Sequence, residues 1–251
     1  MTDHVNRDPH PAGHGHPHGH PHGAPASVPG TISHDLREST SDLHTAAERS
    51  ELQRLLVSGR ASRSQYAEHL SQMFLVHRAL DAALRAASEA SPAVRTVVRD
   101  EHFQEPYLRE DLAFLGVNPE SIEPVPATTA MTARIAGVAA ADPVALLGYH
   151  YVLEGANNGN RFIARAVAGV VGQRPGGPGT RYLDPYGERQ REVWSAFKRD
   201  IDSVELDAAT RGRMIGCARE MFAAVATIGD EVIARTSMAS VSSGAPGPAL
   251  S

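Results

Sequence analysis

Ser62-Arg63-Ser64-Gln65-Tyr66-Ala67-Glu68-His69-Leu70-Ser71-Gln72-Met73-Phe74-Leu75-Val76-His77-Arg78-Ala79-Leu80-Asp81-Ala82-Ala83-Leu84 is the clearest helical stretch of this 251-residue chain. Tyr66, Leu70, Met73, His77, Leu80 and Leu84 recur at steps of three and four, which places them on one helix face. Ser62 and Ser64 are both plausible N-caps, and Ser91-Pro92 breaks the pattern.

Working outward, Leu36, Leu43, Ala47 and Leu55 mark one side of a first helix that the pattern carries to near Gly59. Shorter helices are expected over about 92–99 and 107–115, the latter stopped by Gly116. Residues 117–129 hold Pro119, Pro124 and Pro126 and read as a loop. Further helices are expected near 130–140, 143–170, 188–203 and 208–237, with a Gly/Pro loop over 172–179. No strand alternation and no internal repeat is visible. The fold class expected is all-α: a single compact multi-helix bundle of about seven or eight helices.

Composition narrows the function classes. A net charge of -5 and no Lys/Arg block leave no nucleic-acid footprint. Cys217 is the only cysteine, which excludes an intramolecular disulfide and a cysteine-rich zinc site; a small core residue is the expectation. No apolar run reaches membrane-span length, and the N-terminus lacks the order of a signal peptide, so the reading is cytoplasmic, with no membrane partner. His10, His14, His16, His18, His20 and His22 alternate with Pro and Gly, a composition that cannot bury apolar surface. Residues 1–32 therefore read as a disordered tail, 33–237 as one domain and 238–251 as a second disordered tail. Such imidazoles bind metals or haem loosely, and a tail without a role is an equal reading.

Two features carry chemistry. His44 lies early in an amphipathic helix and is followed by small residues. An isolated histidine of this kind is a surface residue, a satisfied core residue or a ligand, and its neighbours leave the three open. Gly155 and Gly159 are four apart on the helix of Gly148–Val167 and share a face. Each glycine costs a helix about 1 kcal/mol relative to alanine. Close approach of another helix, or of a flat ligand to bare backbone, would account for them. Asn157 and Asn158 add donors that hold water near such a plane or solvate a kink.

Leu36-Arg37-Glu38-Ser39-Thr40-Ser41-Asp42-Leu43-His44-Thr45-Ala46-Ala47-Glu48 resembles the opening helix of the haem oxygenase family, in its bacterial soluble form, with its proximal histidine. Tyr151-Val152-Leu153-Glu154-Gly155-Ala156-Asn157-Asn158-Gly159 resembles that family's distal helix. Weaker likenesses lie at residues 108–115, at Tyr186-Gly187 and at Trp194-Ser195-Ala196-Phe197, co-linear from about 33 to 235. The resemblance implies that haem is both cofactor and substrate. It is cut with dioxygen to biliverdin, carbon monoxide and ferrous iron. Electrons would come from a separate ferredoxin or NAD(P)H-dependent reductase, since no flavin or nicotinamide motif is present. A monomer is expected.

The resemblance also implies residue roles. His44 would ligate iron, Glu48 would hold its other ring nitrogen, and Gly155 and Gly159 would admit the porphyrin. Arg37, Lys198 and the adjoining Arg199 would meet the haem propionates. Two positions depart from the family pattern. Ala156 stands where many members carry an aspartate that orders distal water, and Asn160 stands where a further glycine is common. Asn157, Asn158 or Asn160 would then order the water instead. Two alternatives remain: a haem-binding, sensing or trafficking protein without turnover on the same scaffold, and a non-haem di-iron oxidase using His150, Glu154 and His77. The last lacks the several further carboxylates such a site requires.

Overall fold

A computed structural model of the chain describes Val28 and residues 30–243. The His-rich segment and the last eight residues lie outside the described residues. Among those described there is no strand. The elements are α1 (Ile32–Glu48), α2 (Glu51–Val57), α3 (Arg63–Ala90), α4 (Pro92–Val97), α5 (Glu105–Leu115), α6 (Pro126–Ala141), α7 (Leu146–Val171), α8 (Gln190–Asp202) and α9 (Ala208–Ser243), joined by four single 3-10 turns. The expected all-α bundle is the fold. No described helix is long and apolar enough to cross a membrane.

The long helices α3, α7 and α9 form the centre. α9 packs on α7, α1, α3 and α6, and α8 closes one side against α1, α4 and α7. All six periodic positions of α3 are buried. Its cap is Ser62, not Ser64: Ser62 Oγ accepts from Gln65 N at 3.1 Å while Gln65 Oε1 accepts from Ser62 N at 2.9 Å. Truncating a fully buried leucine such as Leu84 in this helix would cost about 2–5 kcal/mol.

Several expected boundaries move for local reasons. The first helix does not run to Gly59. It ends at Glu48, and Ser50 caps a separate α2 by accepting from Gln53 N at 3.4 Å. The break shifts the helix phase, so Leu52 and Leu56 are buried while Leu55 is only half-buried. α6 starts at Pro126, four residues before the expected start, because proline fits the first helical position where its missing N–H is not needed. Pro143–Ala145 forms a 3-10 turn before α7. α9 runs to Ser243, beyond the expected end at Ser237.

The Gly/Pro loop is tied down from beneath. Asp111 on α5, buried, accepts from Gly179 N at 2.8 Å, Arg181 N at 3.0 Å and Tyr182 N at 2.8 Å. Tyr66 Oη donates to Gly179 O at 2.8 Å. Gly179 has a φ of +84°, and a Cβ there would come 2.6 Å from the Phe114 ring, so both backbone and space demand glycine. This loop delivers the chain to α8, which forms one wall of the site.

Candidate functional site

α1 is anchored at its start and middle. Asp202, the last residue of α8, accepts from Ser33 N and Ser33 Oγ, both at 2.7 Å, placing an anion at the positive end of α1. Tyr151 on α7 donates to Ser33 O at 3.5 Å, so α1, α7 and α8 converge at this point. Farther along, Arg219 of α9 grips Asp42 with both nitrogens, at 3.1 and 3.2 Å, and that pairing holds the Asp42 carboxyl below its usual range.

Two residues past Asp42, His44 leaves the protein surface with 61% of its side chain exposed. Its Nδ1 lies 3.6 Å from Glu48 Oε1, an ion-pair separation longer than a hydrogen bond. Its ring meets Phe222 of α9 edge-on at 5.8 Å between centroids. The Nε2 atom has no hydrogen-bond partner among the described residues.

The four glycines of α7 differ in what surrounds them, and Gly169, near its end, has nothing within 4 Å of the place of a Cβ. A Cβ on Gly148 would be driven into the Met214 carbonyl of α9 and would lie 3.0 Å from Cys217 Cβ. Close helix packing accounts for that glycine, and Cys217 is buried and free beside it, as expected. A Cβ on Gly155 would lie 3.3 Å from the Trp194 ring. A Cβ on Gly159 would meet nothing within 4 Å, and Ala156 beside it is exposed.

α8 covers the other flank of this helix. Gln190 Nε2 donates to Asn158 Oδ1 at 3.3 Å, Trp194 lies on Gly155, and Phe197 lies 6.4 Å from Tyr151 between ring centroids. Rising numbers on α8 thus meet falling numbers on α7, and the two helices run antiparallel.

Both asparagines are hydrogen-bonded within α7, and Asn158 also to α8. Asn157 is buried and its Nδ2 donates to Glu154 Oε2 at 3.3 Å; Asn158 Nδ2 donates to Gly155 O at 2.9 Å. Asn157 is two residues from Gly159, so on a helix it faces nearly the opposite way. The Asn157 amide therefore points away from the open glycine, and the Asn158 amide turns back to Gly155 O. Asn160 is half-buried.

Of the three expected cations, two share an environment. Lys198, half-buried with its Nζ 5.8 Å from the Trp194 ring centre, is depressed by burial, with Arg37 pushing the same way and Asp202 opposing. Tyr151 feels the same exposed Arg37: burial pushes its hydroxyl up to about 12, against the pull of that charge. Arg199 is exposed and lies 3.5 Å from its neighbour Asp200.

Beneath α7 lies a polar network that the pattern of the sequence does not announce. Glu154, only 2% exposed, accepts from Tyr186 Oη at 2.9 Å. Gln104 Nε2 donates to that same hydroxyl at 3.1 Å, and Glu154 Oε1 is buried without a partner. Burial pushes the Glu154 carboxyl up to about 8, against the hydrogen bonds from Tyr186 and Asn157.

His102 and His150, both buried, stand 3.4 Å apart between Nδ1 and Nε2, each with its ring edge against Phe197. Burial pushes His102 down to about 4 and His150 well below its ordinary value. His77 Nε2 lies 3.2 Å from Tyr182 Oη. The His150, Glu154 and His77 of the di-iron alternative are thus each paired elsewhere. Among the described residues no group of three or more His, Cys, Asp or Glu side chains can hold a metal ion. Nothing in the local sequence of His102 signalled its place in this core.

The fold and its glycine-faced central helix define an all-α bundle of the haem oxygenase type. The chain belongs to the haem oxygenase family: the family model described as Heme oxygenase matches residues 30–230. The Heme oxygenase 2 of Synechocystis sp. is 25% identical over 198 residues, spanning 76% of this chain and 78% of that relative. Among solved structures, heme oxygenase-2 from Synechocystis in complex with heme and NO superposes with a TM-score of 0.77 at 23% identity, covering 83% of this chain and 88% of that one. The heme oxygenase from Leptospira interrogans gives 0.73 at 22% identity, over 80% and 99%.

Proposed function

We propose that this protein is a haem-degrading oxygenase that takes haem as substrate and uses dioxygen and electrons from an external donor to form biliverdin, carbon monoxide and ferrous iron. The observation that carries the reading is the bare, open backbone at Gly159, where a Cβ would meet nothing within 4 Å. A helix interior gives up stability at such a glycine, and no described packing partner accounts for it; Gly169 is equally open, but Gly159 alone lies one turn from Gly155 on the same face. A flat ligand lying against the backbone does.

His44 would hold the haem iron. It is exposed, and Glu48 stands beside Nδ1, which favours the tautomer that leaves Nε2 to face a metal. Arg37 and Lys198 fit the propionates. Arg37 and Lys198 stand near one another with Asp202 between their influences, and burial depresses the half-buried Lys198 ammonium, so an arriving carboxylate would favour its charged form. When bound, haem supplies the iron at which dioxygen is activated and the ring that is cut. The chain's residues orient the substrate, hold its carboxylates and limit access of water.

The test is aerobic incubation of the purified protein with haem and a reductant. Loss of the Soret band with rising red absorbance is the expected outcome. A stable spectrum would support the second reading, a haem-binding or trafficking protein without turnover. That reading is favoured by one observation: the Asn157 amide is committed to Glu154 and the Asn158 amide to Gly155 O and Gln190, and Ala156 offers no side-chain donor.

A further inference from the structure

Trp194 is the sole tryptophan of the chain, and it stands where α8 meets the glycine face of α7. Four neighbours hold it. Its ring is stacked on Phe197, with centroids 5.5 Å apart and planes 11° from parallel. Tyr151 lies against it at 5.4 Å, the Lys198 ammonium is 5.8 Å from its centre, and the Gly155 backbone sits beneath its edge. It is only 8% exposed. Swinging the indole aside would unstack two aromatic rings and open a large void, so it behaves as fixed wall.

The consequence concerns the two glycines of the shared face. They look equivalent on a helical wheel, yet the indole covers Gly155 and leaves Gly159 bare. A flat ligand has free approach to the backbone only from Gly159 outward, until its edge meets the indole. We propose that Trp194 is a positioning residue that stops the ligand plane along α7 and so fixes the in-plane seating of a planar tetrapyrrole. The inference rests on the haem reading above and adds to it which edge of the ligand is blocked. In a ring with chemically distinct edges, seating decides which bridging carbon faces the reactive side. Lys198, one turn along α8 from Trp194, would take a ligand carboxylate at that edge, so stop and anchor come from one helix.

The experiment uses the full-length chain loaded with ferric protohaem and cyanide. Proton NMR of the haem methyl groups reads the ratio of in-plane orientations, a quantity that a merely structural role would not move. Trp194→Phe keeps an aromatic wall and should leave the ratio near that of the parent. Trp194→Ala removes the wall and should shift the ratio by about threefold or more, the scale expected when a single contact separates two poses. Gly155→Ala, which pushes the indole from the other side, should also shift it, and it serves if Trp194→Ala does not fold by circular dichroism. An unchanged ratio in the folded Trp194→Ala and Gly155→Ala proteins would overturn the proposal. Failure of the parent chain to bind protohaem would instead overturn the haem reading itself.

Discussion

α7 contains two glycine environments eleven residues apart, and their surroundings are opposite. At Gly148 the helix lies so close to α9 that a single methyl would strike the Met214 carbonyl. At Gly159 the same methyl would meet nothing. The helix forfeits comparable propensity at both. In the first half the loss is offset by packing, amid Tyr149, His150 and Glu154, all buried. At Gly159 no described residue offsets it, and the surface stands open beside exposed Ala156 and Phe162. One half of the helix is built for the fold; the other is the half that the proposed function assigns to a ligand.

That contrast is open to direct attack. Gly148→Ala should be the most damaging change, costing about 3 kcal/mol of stability through overpacking against backbone, measured by denaturant unfolding. Were it neutral, the packing account of Gly148 would be wrong. His44→Ala should leave stability within about 0.5 kcal/mol, since the side chain is exposed. It should still lower haem turnover about a hundredfold or more, because a lost metal ligand exceeds the effect of a lost supporting contact. Parent-like haem binding and degradation by this variant would remove the central site assignment.

The buried half of α7 should also set the pH profile of stability. Burial pushes Glu154 up from 4.5 to about 8, so the native state keeps a proton that the unfolded chain releases, and stability is lost as pH rises through this range. His102 and His150 are depressed from 6.5, so stability is lost on the acid side as pH falls below that value. Below pH 6.5 these two histidines and His69, depressed by burial to about 4, outweigh Glu154, and above it Glu154 sets the slope. A maximum near 6.5 is expected, with an alkaline fall of at most about 1.4 kcal/mol per pH unit. Glu154→Gln should flatten that fall, and a fall unchanged in the variant would contradict the assignment.

The smallest effect has the reverse sign. Gly159→Ala should raise the stability of the ligand-free protein by about 1 kcal/mol. It should weaken haem binding at the same time. A variant that gains stability and keeps full affinity would show that Gly159 serves no ligand.

Much of the fold was legible because it depends on local chemistry. The period of α3, the stop at Gly116 and the capping serine of α3 follow from propensity and hydrogen bonding within a few residues. The break after Glu48 was not legible as a pattern, because the apolar spacing continues through it while Ser50 competes for the next turn. The proline start of α6 carried a signal that a loop reading of a proline-rich stretch concealed. In the site, His44 and the Gly155–Gly159 pair were visible as residue types that need a reason. The Glu154–Tyr186–Gln104 chain was not, since its members are separated by up to 82 residues and meet only in space.

By itself the sequence determined that the chain is helical, that one helix accepts two glycines on one face, and that an imidazole and cations are available at family-like spacings. These are properties of neighbours along the chain, fixed by backbone geometry and period. Only the tertiary structure decided which glycine is packed, which is covered by Trp194 and which is bare, and that Asn158 meets Gln190 of α8. Those outcomes depend on where α8 and α9 lie against α7, and that placement comes from burial summed over the whole core.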